Sequence, residues 1–132
     1  MADVFEIMDM LDWQNTSKEQ CKGIELASQL DTISVFIQPV TPRHNKNVWE
    51  NCAKILSSKS DECLDGHIGR LFEWLQDMNW PGADIIYQRL LSVSMNYIDI
   101  PFKESLERAC KSGDTVWKDV LIMFWNEYQL KI

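Results

Sequence analysis

The chain has 132 residues with 20 acidic against 13 basic side chains, a net charge of -7 and 45% hydrophobic residues. That length buries roughly two thirds of the unfolded chain's surface in one compact domain, and an ordinary charged fraction of 25% sets aside disordered, collagen-like and coiled-coil classes. The acidic balance argues against nucleic acid and anionic membranes, which draw on Lys and Arg. It agrees with a basic protein partner, and equally with a charge that serves only solubility.

No apolar run approaches the ~20 residues of a membrane-spanning helix. The residues from Met1 to Glu6 lack the basic region of a signal peptide, so a cytoplasmic location is expected. Cys21, Cys52, Cys63 and Cys110 form no CxxC pair, which predicts buried free thiols rather than zinc ligands. No metal or cofactor is expected.

In chain order, the first predicted helix covers Ser17 to Leu30, with Cys21, Ile24, Ala27 and Leu30 at helical spacing. The β-branched run from Ile33 to Ile37 fits a strand or a short helix ending before Pro39. Read as a helix capped by Asp31 or Thr32, it forms a tight antiparallel corner with the first. Val40 to Asn47, which holds Pro42 and His44, is a predicted loop. Asn47 then caps a helix through Val48, Trp49, Cys52, Ala53, Ile55 and Leu56. Ser60 opens the next, whose apolar face is Cys63, Leu64, Ile68, Leu71, Phe72 and Leu75. Gly66 and Gly69 inside it each cost about 1 kcal/mol relative to Ala, which suggests a close neighbour on that side.

The corner from Asp77 to Asn79 leads into a helix through Ile85, Ile86, Leu90 and Leu91, with Asn79 as cap and Pro81 in the first turn. Ile100 and Pro101 open a further helix with Phe102, Leu106 and Ala109 inward, and Gly113 closes it. Asp114 caps the last helix, which carries Trp117, Val120, Leu121, Phe124, Trp125 and Tyr128. Trp13, Trp49, Trp80 and Trp117 are 36, 31 and 37 residues apart, an interval in the range of helical-hairpin repeats. The expected architecture is all-α: one helical-repeat domain over residues 1–132, a short HEAT-like α-solenoid of stacked antiparallel hairpins whose end hairpins carry polar outer faces. An irregular bundle is the alternative.

Catalytic motifs are absent: there is no GxSxG elbow, P-loop, GxGxxG or HExxH. The one nucleophile and base candidate is Cys63 with His67, four residues apart on a shared helix face, where a packed thiol beside a histidine is the structural alternative. Asp61, Glu62 and Asp65 bunch at a helix start, where the helix dipole favours negative charge. Trp74, Asp77 and Trp80 fit corner roles, and they fit a recognition surface too, since Trp is enriched at binding hot spots. Charge is distributed unevenly: residues 1–33 carry five excess negative charges, 34–60 three excess positive, 61–84 five excess negative, and the remainder balances. Two acidic blocks on one short scaffold can form a field that speeds encounter with a basic partner. They can also be solvated outer faces.

The stretch from Lys46 to Leu91, above all Glu73-Trp74-Leu75-Gln76-Asp77-Met78-Asn79-Trp80-Pro81-Gly82-Ala83, resembles a family of small bacterial helical proteins, a domain of unknown function with a Trp-Leu-Gln-Asp-(Leu/Met)-Asn-Trp-Pro signature. Cys21-Lys22-Gly23-Ile24-Glu25-Leu26-Ala27 and Phe36-Ile37-Gln38-Pro39 are similar to the amino-terminal part of such proteins. The resemblance implies a HEAT-like fold, a bacterial source and no catalytic residues. It further implies likeness to small acidic immunity proteins that inhibit toxin domains. The expected function is therefore an immunity protein that binds a basic toxin domain, such as a nuclease, through Asp61, Glu62, Asp65, Trp74, Asp77 and Trp80. A helical adaptor of a housekeeping complex, or a small enzyme or ligand-binding protein using Cys63 and His67, is the alternative.

Overall fold

The computed structural model describes residues 3–39 and 46–131, so His44 and most of the predicted loop lie outside the described residues. Within them the protein is all-helical and contains no strand. Its helices are α1 (Val4–Met10), α2 (Ser17–Ser28), α3 (Trp49–Ser57), α4 (Asp61–Leu64), α5 (Ile68–Glu73), α6 (Ala83–Leu91), α7 (Met95–Ser112) and α8 (Thr115–Lys131).

Helix α1 is additional to those read from the sequence. Asp3 caps it by accepting from the Glu6 N–H at 2.8 Å, an Asp-x-x-Glu start that has the capping-box spacing. Thr16 caps α2 in the same way. The two helices close tightly where Gly23 meets α1: a Cβ there would come within 2.9 Å of the Met10 Cβ. The run from Ile33 to Ile37 is neither strand nor full helix but a single 3₁₀ turn, Ser34–Phe36. Asn47 does not cap α3. The 3₁₀ turn Lys46–Val48 feeds the helix directly, and the Asn47 carbonyl accepts from the Trp13 N–H at 3.1 Å.

Ser60 caps α4 as expected, accepting from the Cys63 N–H at 3.1 Å. The predicted long helix behind it breaks, however. Gly66 sits in the left-handed region at φ 86°, which ends α4 and restarts the chain as α5. A 3₁₀ turn, Trp74–Gln76, then carries the chain into the Asp77 corner. No close neighbour covers the two glycines: a Cβ on Gly66 or Gly69 would meet nothing within 4 Å, and both border an open cleft of about 290 Å³ shared with Pro101 and Ser105.

The N-cap position of α6 belongs to Gly82, at φ 84°, rather than to Asn79. Pro101 lies inside α7 instead of opening it; it removes the helical bond to the Tyr97 carbonyl, and the Ser105 hydroxyl donates to the Pro101 carbonyl at 2.8 Å. Gly113 closes α7 at φ 72°, and Asp114 caps α8 by accepting from the Trp117 N–H at 3.0 Å, both as the sequence predicts.

Consecutive helices pair as neighbours in α1–α2, α2–α3 and α7–α8, while α3 lies on α6 and α5 on α7. Their buried faces form one hydrophobic cluster from Ile7 to Tyr128. Phe72 stands edge-on to Phe102 at 5.7 Å and to Phe124 at 5.2 Å, the favourable arrangement of ring quadrupoles. Two of the buried aromatics pair their polar atoms with backbone: the Trp117 indole donates to the Phe72 carbonyl at 3.0 Å and the Tyr128 hydroxyl to the Val93 carbonyl at 2.6 Å.

A Cβ on Gly82 would sit 2.7 Å from the Ala53 Cβ and 2.9 Å from the Trp49 carbonyl, in a backbone region that already disfavours a side chain. Gly82→Ala is therefore expected to destabilise by ~2 kcal/mol or more. Gly69→Ala, on a helix facing open space, is expected to stabilise by up to ~1 kcal/mol. Urea denaturation of the two variants checks the opposite signs.

Candidate partner-binding surface

Asp61 is the first residue of α4, and its carboxylate points inward. The Arg89 guanidinium donates to Asp61 Oδ1 at 2.7 Å, while the Ser94 N–H and hydroxyl donate to Oδ2 at 3.0 and 3.1 Å. Arg89 also reaches the Lys59 carbonyl at 2.8 Å and the Ser92 hydroxyl at 2.7 Å. Burial pushes the Asp61 carboxyl up, but the hydrogen bonds from Arg89 and Ser94 and the charge of Arg89 outweigh it and hold the group below its ordinary value. Asp61 thus clamps Arg89 of α6 to the start of α7.

Glu62 and Asp65, on the same short turn, are exposed. They share their surface with the half-buried Tyr97 of α7. The charge of Glu62 first, then burial, then the charges of Asp65 and Asp61, raise the Tyr97 phenol above its ordinary value. Tyr97 is a residue that the sequence reading did not single out. Its α7 position was hidden by taking Pro101 as the helix start.

Trp74 is fully buried and its indole donates to the Pro81 carbonyl at 3.0 Å, so it is removed from any surface role. Asp77 accepts from the Asn79 N–H at 2.8 Å and shapes the corner. Trp80 is half-buried, edge-on to Trp49 at 5.4 Å, and Trp49 is edge-on to Trp74 at 6.1 Å. The Lys46 ammonium lies 5.7 Å from the Trp49 ring and 6.0 Å from the Trp80 ring, within cation–π range. The Trp49 indole nitrogen is buried without a hydrogen-bond partner. The six nominated residues therefore divide: Glu62 and Asp65 face solvent, Asp77 and Trp80 are half-buried, and Asp61 and Trp74 hold the fold.

A second acidic region lies between α1 and α2. Glu6, Asp9 and Glu19, with Lys22, line a cleft of about 670 Å³ over Met10 and Leu26. The Cys63 thiol of α4 lies 3.9 Å from the Asp31 backbone carbonyl, just beyond α2.

Cys63 and His67 do not share a helix face, because the left-handed Gly66 separates α4 from α5. All four cysteines are free thiols, but only Cys52 is buried; Cys21 and Cys110 are exposed and Cys63 is half-buried. Cys52 packs with its sulfur 4.0 Å from that of Met8, and burial, opposed by a hydrogen bond with Gln38, pushes its thiol up to about 12. Among the described residues no group of three or more His, Cys, Asp or Glu is arranged to hold a metal ion, and no helix is long and apolar enough to cross a membrane.

Residues 40–131 match the family model described as Domain of unknown function (DUF5071). No curated protein and no solved structure matches the chain.

Asp61 has a lowered folded-state value, so its stabilisation is fully present above the ordinary aspartate range and is lost as pH falls through the lowered one. Asp61→Asn is expected to cost ~2 kcal/mol at neutral pH, since it leaves Arg89 poorly paired, and to flatten the acid limb of the stability curve. Urea midpoints from pH 7 downward, wild type against variant, measure both.

Proposed function

We propose that this chain, which belongs to the DUF5071 family, works by binding a basic protein and covering the surface that protein uses. Most concretely it is an immunity protein that neutralises a cognate bacterial toxin domain, with a basic nuclease as the best fit. The observation that carries this reading is the pair of exposed carboxylates Glu62 and Asp65 on one short turn near the half-buried Tyr97 of α7. Exposed carboxylates on one turn form a local negative field, and a Tyr among them supplies the amphipathic anchor typical of an interface. Such a patch complements Lys and Arg that otherwise hold nucleic-acid phosphates.

Several features support the sign of that field. Arg89 and Arg108 are paired with Asp61 and Glu73 at 2.7 Å, and Lys59 is turned onto the carbonyl end of α2, so these three cations are engaged by the chain's own acceptors. The acidic cleft of α1 and α2 adds a second negative area. We further read the helices as a HEAT-like solenoid acting in the bacterial cytoplasm; the pairing of α1 with α2, α2 with α3 and α7 with α8 supports the hairpin order. The paired use of Cys63 and His67 has lost the shared helix on which it rested.

Glu62→Gln/Asp65→Asn is expected to slow association with the basic toxin domain encoded beside this protein by about tenfold at low salt, with dissociation little changed. Stopped-flow or biolayer association rates across a salt series test this. Salt-independent association, or no binding to such a neighbour, overturns the reading.

A further inference from the structure

Helix α8 has two apolar faces. Its inward face is Trp117, Leu121, Phe124 and Tyr128. On the other side Val116 is 64% exposed, Met123 47% and Leu130 87%. These three recur every seven residues, so they lie along one line of the helix, with the partly buried Val120 between the first two. The positions 116, 120, 123, 127 and 130 follow the alternating spacing of four and three that defines a coiled-coil seam. An end helix of a stacked array is expected to turn a polar face outward; this one presents Val, Val, Met and Leu, interrupted by Glu127.

The charges on this face decide what covers it. Glu127 stands within the seam, held by the Tyr87 hydroxyl, which donates to it at 2.8 Å, and Asp119 lies beside the seam one turn before Met123. A second copy laid antiparallel about Met123 sets Asp119 of one chain near Glu127 of the other. Laid parallel, it sets Glu127 against Glu127. Lys131, one turn beyond Glu127, offsets one of these charges, but two acids to one base remain on the face of a chain of net charge -7, a balance that a basic partner converts into attraction.

We propose that the outer face of α8 receives an amphipathic helix from a partner protein, whose apolar stripe packs on Val116, Val120, Met123 and Leu130 and whose flanking Lys or Arg meet Asp119 and Glu127. This is the helix-on-helix mode of recognition, read through anchors spaced three and four residues apart. The inference rests on the reading of the partner as basic and extends it with a second contact face and the element the partner brings.

The test uses the full chain and a fluorescent synthetic peptide of three heptads, Leu at the a and d positions and Lys at e and g, held at nanomolar concentration. A counterpart carries Glu in place of Lys. Fluorescence anisotropy at about 0.15 M salt is expected to show binding of the Lys peptide, with the Glu peptide weaker by about tenfold or more. Met123→Lys/Leu130→Lys is expected to abolish binding with an unchanged helical circular-dichroism spectrum, and the milder Val116→Thr/Met123→Gln to weaken it. No binding of the Lys peptide, or binding indifferent to the α8 variants, overturns the proposal, as does a dimer in sedimentation that Met123→Lys dissolves. Loss through Glu62 and Asp65 alone would remove the α8 face while leaving the basic-partner reading intact. Peptide binding at α8 without capture of any basic toxin domain would sink only that earlier reading.

Discussion

The fold depends on a chain of polar contacts that begins with a lysine and ends at a helix start. The Lys59 ammonium donates to the carbonyls of Ser28 at 2.9 Å and Leu30 at 2.7 Å, which satisfies acceptors left open at and just beyond the end of α2. The Lys59 carbonyl in turn accepts from Arg89 of α6. Arg89 binds Asp61 of α4, and Asp61 holds the amide and hydroxyl of Ser94, where α7 begins. Each link satisfies a group that the previous one fixes in place, so the ends of α2, α3, α4, α6 and α7 are set together. Short helices such as α4, a single turn, have little stability of their own; this relay gives them a position.

The same relay shapes the electrostatics. The sequence divides into acidic, basic and acidic blocks, and a reader of the sequence alone imagines three stripes on the surface. Among the described residues of the basic block, Lys59 is half-buried and caps α2, while Lys46 and Lys54 are exposed, Lys46 near the Trp49 and Trp80 rings and Lys54 paired with Glu50 at 4.0 Å. The acids divide as well, Asp61 and Glu73 being matched by Arg89 and Arg108. The acids that face solvent include Glu62 and Asp65 near Tyr97 and Glu6, Asp9 and Glu19 in the α1–α2 cleft.

Helix existence was largely legible because apolar spacing of three and four is a long-range pattern, repeated over α2, α3, α6 and α8. Caps that act locally were legible too: Ser60, Gly113 and Asp114 all do what their residue types suggest. Failures occur where a tertiary contact sets the local conformation. The start of α7 at Ser94 is fixed by Asp61, 33 positions upstream, so Pro101 looked like a beginning when it is an interior residue. Gly66 reads as a tolerated helical glycine until its positive φ shows that it terminates one helix and frees the next. For the candidate surface, residue type indicated acids and tryptophans. Burial then separated them, since a Trp enriched at interfaces is also the side chain that fills a core, and Trp74 does the latter.

The four thiols give the molecule a built-in contrast in chemical accessibility. Cys21 and Cys110 stand on exposed helix faces of α2 and α7, whereas Cys52 is sealed against Met8 between α1 and α3 and is strongly disfavoured as thiolate. An electrophile therefore meets Cys21 and Cys110 freely in the native state, Cys63 in part, and Cys52 only when its cover, including α1, lifts from α3. The rate at which Cys52 is modified becomes a clock for that opening, carried by the natural sequence and read without any added probe.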